Sequence, residues 1–226
     1  KQLYIHLLYK NINKMKTIHY LSLSALAVFS LASFVNYNQG KSEVNNVAGS
    51  KAVTYTVDVA ASELEWHGEK NADYGHTGTV GIKSGTITMK GDAITAGKFE
   101  VDLNTMKEKG DEEGSENKLI KHLRDSSFFH VNLFPTAAFQ IKSAKKSAKG
   151  SYNITGDITI RGVSKSISFP ATINVDGKSL TAKAEFSINR VDFGVSYGST
   201  ASGAKAEKAI SDTISFKISL KAASSK

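Results

Sequence analysis

The chain has 226 residues, a formal net charge of +8 and no cysteine. Without cysteine the chain forms no disulfides and no thiol-based metal sites, so its fold depends on a hydrophobic core. The cationic residues are mostly lysines scattered along the sequence rather than clustered on one segment. This distribution argues against a nucleic-acid-binding function.

The N-terminal segment is typical of a secretory signal peptide. Met15 and Lys16 precede a compact apolar run over residues 20–35 (YLSLSALAVFSLASFV). Ser30 and Ala32 have the spacing of a signal-peptidase cleavage site. The alternative is a retained membrane anchor, but the run is shorter than the ~20 residues that a spanning helix needs. We therefore expect a cleaved signal peptide and a periplasmic or secreted protein.

The sequence divides into four predicted parts. We expect residues 1–14 to be a non-native upstream extension, because they resemble neither a signal peptide nor a domain. The signal peptide covers residues 15–32, and a polar linker rich in Asn, Gly and Ser covers residues 33–52. A single domain is expected over residues 53–222.

The domain is dominated by apolar residues at every second position. This period of two predicts strands with one buried and one solvated face. So many amphipathic strands in one domain predict an all-β sandwich or an antiparallel β-barrel. The predicted strands cover residues 55–59, 64–67, 77–83, 86–90, 97–104, 137–144, 151–161, 167–175, 180–188 and 214–220.

Turn signals separate the predicted strands. Asp176-Gly177 stands between two clear alternating runs and predicts a β-hairpin. Residues 90–92 (KGD) predict another turn. Ser84-Gly85 interrupts an alternating run and is compatible with either a turn or a β-bulge.

One segment departs from the alternating pattern. Residues 115–124 (SENKLIKHLR) place Leu119, Ile120 and Leu123 on one helical face, with Ser115 as the expected N-cap. The prediction is one short α-helix inserted among about eight strands, which is enough to close a barrel around one small ligand.

Small residues on inward-facing positions bear on whether such a barrel is hollow. Ala171, Ala182, Ala184 and Gly156 leave room on the buried faces. One interpretation is an open cavity, which would store an apolar guest. The other is that phenylalanine side chains fill this space, so that the barrel is solid.

Several sequence blocks resemble the YceI-like domain family, in that family's order and over roughly residues 53–222. They are residues 66–68 (WHG), 76–80 (HTGTV), 84–85 (SG), 121–125 (KHLRD), 128–129 (FF), 134–136 (FPT), 156–165 (GDITIRGVSK) and 189–195 (NRVDFGV). The resemblance implies a lipocalin-like antiparallel β-barrel exported to the bacterial periplasm. It also implies binding of an isoprenoid or another amphiphilic lipid inside the barrel, with no general enzymatic activity and no cofactor.

The candidate ligand-binding residues combine inward-facing aromatic and small positions with polar groups in the family blocks. His76 and His122 match such blocks and are expected near a lipid headgroup. Arg190 has the inward parity of the preceding apolar run, so it should form a salt bridge, to Asp192 or Glu185, or face an anionic group. The full set is Trp66, His76, Phe99, His122, Phe128, Phe129, Phe139, Phe169, Ala184, Phe186 and Arg190.

Two other functions are compatible with the same pattern. An enzyme could use His76 or His122 as an acid–base group, although the sequence has no nucleophile elbow, phosphate loop or dinucleotide fingerprint. A filled barrel could serve as a stress or interaction module. The histidines lack metal-ligand spacing, so no metal site is expected. Membrane contact is expected through targeting or lipid exchange alone. A homodimer is neither predicted nor excluded.

Overall fold

The computed structural model describes residues 50–71, 74–110 and 117–225. The predicted upstream extension and signal peptide, and all but the last three residues of the linker, lie outside these residues. The strands are β1 (Ala52–Val57), β2 (Glu63–Asn71), β3 (Tyr74–Lys90), β4 (Ala93–Glu108), β5 (Thr136–Ala148), β6 (Ser151–Ile160), β7 (Val163–Asp176), β8 (Ser179–Asn189) and β9 (Thr213–Ser224). One α-helix, α1 (Lys118–Arg124), follows β4. No helix in these ranges is long and apolar enough to span a membrane.

The strands form a closed antiparallel barrel, which confirms the predicted fold class. Successive strands pair around the barrel from β2 through β9, and β9 closes it by pairing with β2. β1 and β2 lie end to end at one position of the barrel wall. Both pair with β3 on one side and with β9 on the other, at different places along those strands. The barrel therefore has eight strand positions built from nine strands.

Alternating burial shows why the sequence folds in this way. Along β6 the even-numbered residues, including Ile154 and Ile158, are buried, while their odd-numbered neighbours are less buried or exposed. A strand that hides every second side chain needs an apolar interior on one side, and barrel closure provides it without a free sheet edge.

The predicted turns are also found. The hairpin between β7 and β8 has a two-residue loop, and Gly177 takes the positive φ of +58° that glycine tolerates best. At Ser84-Gly85 the bulge alternative is confirmed, because β3 continues through it while Ile82 pairs with Val101 and Ser84 with Glu100. Two residues of β3 thus advance for one of β4 at this point.

The helix begins at Lys118, later than predicted. Its N-cap is Asn117, whose Oδ1 accepts hydrogen bonds from the backbone nitrogens of Leu119 at 2.7 Å and Ile120 at 3.2 Å. The predicted cap Ser115 lies outside the described residues. Asparagine is as good a cap as serine, and here it stands directly before the apolar residues of the helix.

The barrel wall is incompletely paired between β7 and β8. Among the described residues, their backbone ladder extends from the Asp176–Ser179 pair to the Ala171–Ala184 pair and no further. Beyond it, the rings of Phe169 and Phe186 stack at 4.5 Å between centroids. Side-chain stacking therefore continues the contact between the two strands where the hydrogen bonds end.

Candidate functional site

The barrel encloses an apolar cavity of about 360 Å³. All eleven candidate residues predicted from the sequence line it. A cavity bounded almost entirely by carbon atoms offers little to water, and such cavities bind apolar molecules instead. The finding contradicts the filled-barrel alternative, which predicted no cavity.

A ladder of aromatic rings forms much of the cavity wall. Phe99, Phe139, Phe169, Phe186 and Phe216 follow one another with ring centroids 6.4, 5.5, 4.5 and 5.4 Å apart. The rings come from β4, β5, β7, β8 and β9, so the ladder crosses much of the barrel. Aromatic faces in this arrangement give a rigid, continuous apolar surface against which a chain can lie.

Trp66 is buried in the wall and lines the cavity, as expected of an inward-facing residue. Its indole Nε1 donates a hydrogen bond to the backbone oxygen of Thr79 at 3.3 Å. Gly78 on the adjacent strand makes room for the ring, since a Cβ there would come within 2.3 Å of it. The polar edge of the indole is thus satisfied within the protein.

The predicted small residues have two different roles. Ala171, Ala182 and Ala184 line the cavity, as the open-cavity interpretation requires. The expectation for Gly156 was wrong, because a Cβ at this position would lie 2.5 Å from the ring of Phe139. Gly156 makes room for a neighbouring ring rather than for a guest.

The cavity ends at a layer of buried side chains that do not line it, which we call the floor. Above the floor, Ile173, Ala182 and Leu220 lie side by side on β7, β8 and β9 and line the deep end of the cavity. Two residues further along β8, Leu180 is 1% exposed. The floor consists of Tyr55, Met89, Ile94, Tyr152, Leu180 and Ala222.

Hydrogen bonds fasten the floor to the turns at that end of the barrel. The hydroxyl of Tyr152 donates to the backbone oxygen of Asp92 at 2.8 Å. The hydroxyl of Tyr55 donates to the backbone oxygen of Gly177 at 3.5 Å. Burial raises the pKa of the Tyr152 phenol, against the smaller opposing effect of Lys146. The neutral phenol is therefore the form that the folded protein favours.

At the opposite end, which we call the mouth, a chain of polar contacts joins two strands to the helix. The Nδ1 of His76 lies 2.5 Å from Glu108 Oε1. The other carboxylate oxygen of Glu108 accepts a 2.6 Å hydrogen bond from Nδ2 of Asn117, the N-cap of α1. His76 also lines the cavity, so its orientation beside the opening is fixed by a carboxylate.

The second predicted histidine lies in an aromatic cluster at the mouth. The ring of His122 makes edge contacts with Phe128 at 4.8 Å and Tyr197 at 4.9 Å between centroids. Tyr197 is half-exposed and also contacts Phe128 at 5.5 Å. This cluster packs α1 against the segment that follows β8.

Arg190 is the centre of a second polar network at the mouth. Its side chain is 1% exposed, and its guanidinium lies 5.8 Å above the ring of Phe128. It donates to four backbone oxygens, at distances of 2.7 to 3.0 Å, which are those of Val195, Tyr197, Ile210 and Ser211. Burial lowers the pKa of this arginine, and the nearby Asp212 opposes that shift.

The predicted partner of Arg190 was wrong. Its ion pair is with Asp212, 3.3 Å away, rather than with Asp192 or Glu185. Glu185 instead lies 3.6 Å from Lys217 on the outer face of the barrel. The guanidinium donors are directed to the loop before β9, so Arg190 holds that loop over the cavity.

Sequence reasoning missed several residues at the mouth. Glu108 and Asn117 are separated from His76 by more than thirty residues, and no local pattern connects them. Leu119 and Leu123 of α1 line the cavity, as does Met106 of β4. The helical spacing of the two leucines marked an apolar face but did not say that this face covers the barrel.

Comparison with known proteins agrees with the fold. A sequence model of the YceI-like domain matches residues 55–222. A UPF0312 protein of Pseudomonas putida is 29% identical over 124 residues, which are 52% of this chain and 62% of the relative. The chain thus spans less than two thirds of that relative's length.

Two solved structures share the architecture. Burkholderia cenocepacia BcnA superposes with a TM-score of 0.56 at 18% identity, over 73% of this chain and 98% of BcnA. A polyisoprenoid binding domain from Saccharophagus degradans also gives a TM-score of 0.56, at 14% identity, over 76% of this chain and 99% of that domain. At these identities the likeness shows a common fold.

Proposed function

The chain belongs to the YceI-like domain family, and from this premise we propose that it is an exported, non-catalytic protein that binds an amphiphilic lipid. The apolar tail, of isoprenoid or fatty-acyl type, occupies the barrel cavity. The observation that carries the proposal is the apolar cavity of about 360 Å³ lined by all eleven candidate residues. The polyisoprenoid binding domain from Saccharophagus degradans, which shares the fold, supports the same class of guest.

The free energy of tail burial is sufficient for such binding. Each methylene group moved from water into an apolar cavity contributes ~0.8 kcal/mol. Ten methylenes contribute roughly 8 kcal/mol before the costs of ordering the chain are subtracted. Useful affinity therefore needs few polar contacts.

The distribution of polar groups gives the guest an orientation. The floor is apolar toward the cavity, whereas His76 and His122 lie at the mouth. A tail inserted toward the floor would leave its headgroup beside these two rings. We assign His76 to headgroup contact because the carboxylate of Glu108 fixes its ring at the opening.

Export of the protein accords with a role in lipid storage or transfer. The apolar run over residues 20–35 is the feature that supports a signal peptide and a periplasmic or secreted location. Contact with a membrane would then occur during targeting and lipid exchange.

The test is extraction and mass spectrometry of lipids from the purified protein, followed by binding of fatty-acyl and prenyl probes to the delipidated protein. Ala184→Phe fills the cavity from β8 and should abolish binding. Glu185→Phe places the same ring on the exposed face of the same strand and should leave binding unchanged. Protein that carries no lipid and takes up no probe would refute the proposal.

An enzyme acting on the same guest is the second candidate, and the His76–Glu108 pair favours it. A histidine held by a carboxylate is a common acid–base arrangement. It predicts that His76→Gln abolishes turnover of a bound amphiphile while tail binding is retained. Incubation of loaded protein followed by mass spectrometry of the lipid distinguishes the two: an unchanged guest supports the binding function.

A further inference from the structure

The cavity is closed at one end. On three adjacent strands the last residues that line it are Ile173, Ala182 and Leu220. The next inward-facing residues along β8 and β9 are Leu180 and Ala222, which are buried in the floor and do not line the cavity. A guest tail that reaches this depth meets side chains.

The floor is built to stay in place. Leu180 is almost completely buried, and the hydroxyl of Tyr152 is hydrogen-bonded to the turn between β3 and β4. Displacing Tyr152 would break that bond and leave a buried polar group without a partner. Interiors packed in this way resist expansion, so the floor sets a limit on depth.

The volume of the cavity sets the size of the guest. A dry apolar cavity of about 150 Å³ accommodates benzene, which has six carbon atoms. On that scale, the 360 Å³ cavity has room for about 14 carbon atoms.

We infer that the barrel is a blind pocket that measures tail length, and that its ligands are single-chain amphiphiles whose apolar tails fill it at about 14 carbons. The inference rests on the proposed lipid-binding function and narrows its substrate class. Carbons beyond the limit extend past the mouth into water and add no burial. Ile173, Ala182 and Leu220 are the specificity-determining residues, because they bound the deep end.

The experiment measures the affinity of delipidated protein for saturated straight-chain fatty acids, below their micelle concentrations, by titration calorimetry. Affinity should rise roughly fourfold for each added methylene while the tail is still being buried. It should reach a plateau at about 14 carbons.

Two variants at the deep end should move the plateau in opposite directions. Ile173→Ala removes three carbon atoms from the wall and should extend the plateau by about three carbons. Ala182→Leu adds three and should shorten it by about the same number. Thr172→Ala and Thr181→Leu make comparable changes on the exposed faces of the same strands and should leave the plateau in place.

The outcomes separate this inference from the function on which it rests. Binding with a plateau that shifts in the two variants supports it. An affinity that keeps rising to about 20 carbons, or a plateau that neither variant moves, overturns tail-length selection but leaves lipid binding intact. Failure to bind any chain overturns the proposed function itself.

Discussion

The floor and the mouth of the barrel are held together by different forces. The floor is a layer of apolar side chains at the ends of regular strands, fastened by two tyrosine hydroxyls. The mouth is made of a short helix and irregular segments joined by polar groups, with the buried Arg190 and the partly exposed His76–Glu108 pair at their centres. Apolar packing closes the floor, and polar networks hold the cover of the cavity at the mouth.

Removing Arg190 should have the largest effect on stability, and it tests whether the mouth depends on its polar network. Arg190→Ala removes the side-chain donor to four backbone oxygens and leaves the Asp212 carboxylate without its cationic partner. Breaking a buried charged network from one side costs about 3 kcal/mol or more in the free energy of unfolding. Urea denaturation followed by tryptophan fluorescence measures it.

Arg161→Ala is the matched control for that experiment. Arg161 also reaches the segment after β8, but at an exposed position, where its Nη1 donates a hydrogen bond to the backbone oxygen of Gly194 at 2.8 Å. Its removal should cost about 1 kcal/mol. If both variants lose the same stability, the Arg190 network is not what holds the mouth.

A cavity placed in the floor should have the next largest effect. Leu180→Ala removes a side chain that is 1% exposed and should lower the free energy of unfolding by about 3 kcal/mol. Thermal denaturation of the wild type and the variant provides the comparison, with the exposed Thr181→Ala on the same strand as control. A loss below about 1 kcal/mol would mean that the floor collapses around the missing atoms.

The same contrast explains which parts of the molecule the sequence predicted. The floor and the wall come from strands, where the two-residue repeat of apolar side chains indicates which side chains face inward. For this reason Phe169, Phe186 and Ala184 were correctly predicted to face the interior. Alternation does not give the distance between opposite walls. The alternating pattern therefore left open whether the barrel was hollow. It also suggested free space beside Gly156, where the ring of Phe139 lies.

The mouth was predicted less well because its contacts join residues that are distant in the chain. Arg190 was identified as a residue that needed a partner, but the partner proved to be Asp212, brought near by the loop before β9. The contact between His76 and Glu108 spans thirty-two positions and has no local signature. The N-cap of α1 was predicted at Ser115, whereas the structure has Asn117 there. Serine and asparagine are both favoured caps, so local preference did not decide between the two positions.

Neutralising Glu108 separates headgroup orientation from tail burial. Glu108→Gln removes the charge that holds His76 and should lower the free energy of unfolding by about 1.5 kcal/mol. Ligand affinity should fall by the same factor for every tail length, because the deep end of the cavity is unchanged. Calorimetric titration with two fatty acids of different length measures this; an effect that depends on tail length would contradict the division between mouth and floor.

The smallest predicted effect concerns the hydroxyl of Tyr152, and it depends on pH. Tyr152→Phe removes the hydrogen bond to Asp92 and should cost about 1 kcal/mol near neutral pH. Burial raises the pKa of this phenol above its usual 10.0, so above that pH the unfolded chain loses the proton more readily than the folded protein does. The stability contributed by neutral Tyr152 is therefore fully present below pH 10 and is lost as the pH rises further.

The phenylalanine variant has no proton to lose, so it lacks this part of the alkaline destabilisation. The stability difference between wild type and Tyr152→Phe should accordingly shrink as the pH rises above 10. Urea denaturation of both proteins across that range measures the difference, and the comparison cancels the other groups that ionise there. A difference that stays constant or widens with pH would show that water reaches the phenol, and then the floor would not be the dry, closed layer that a length-limiting pocket requires.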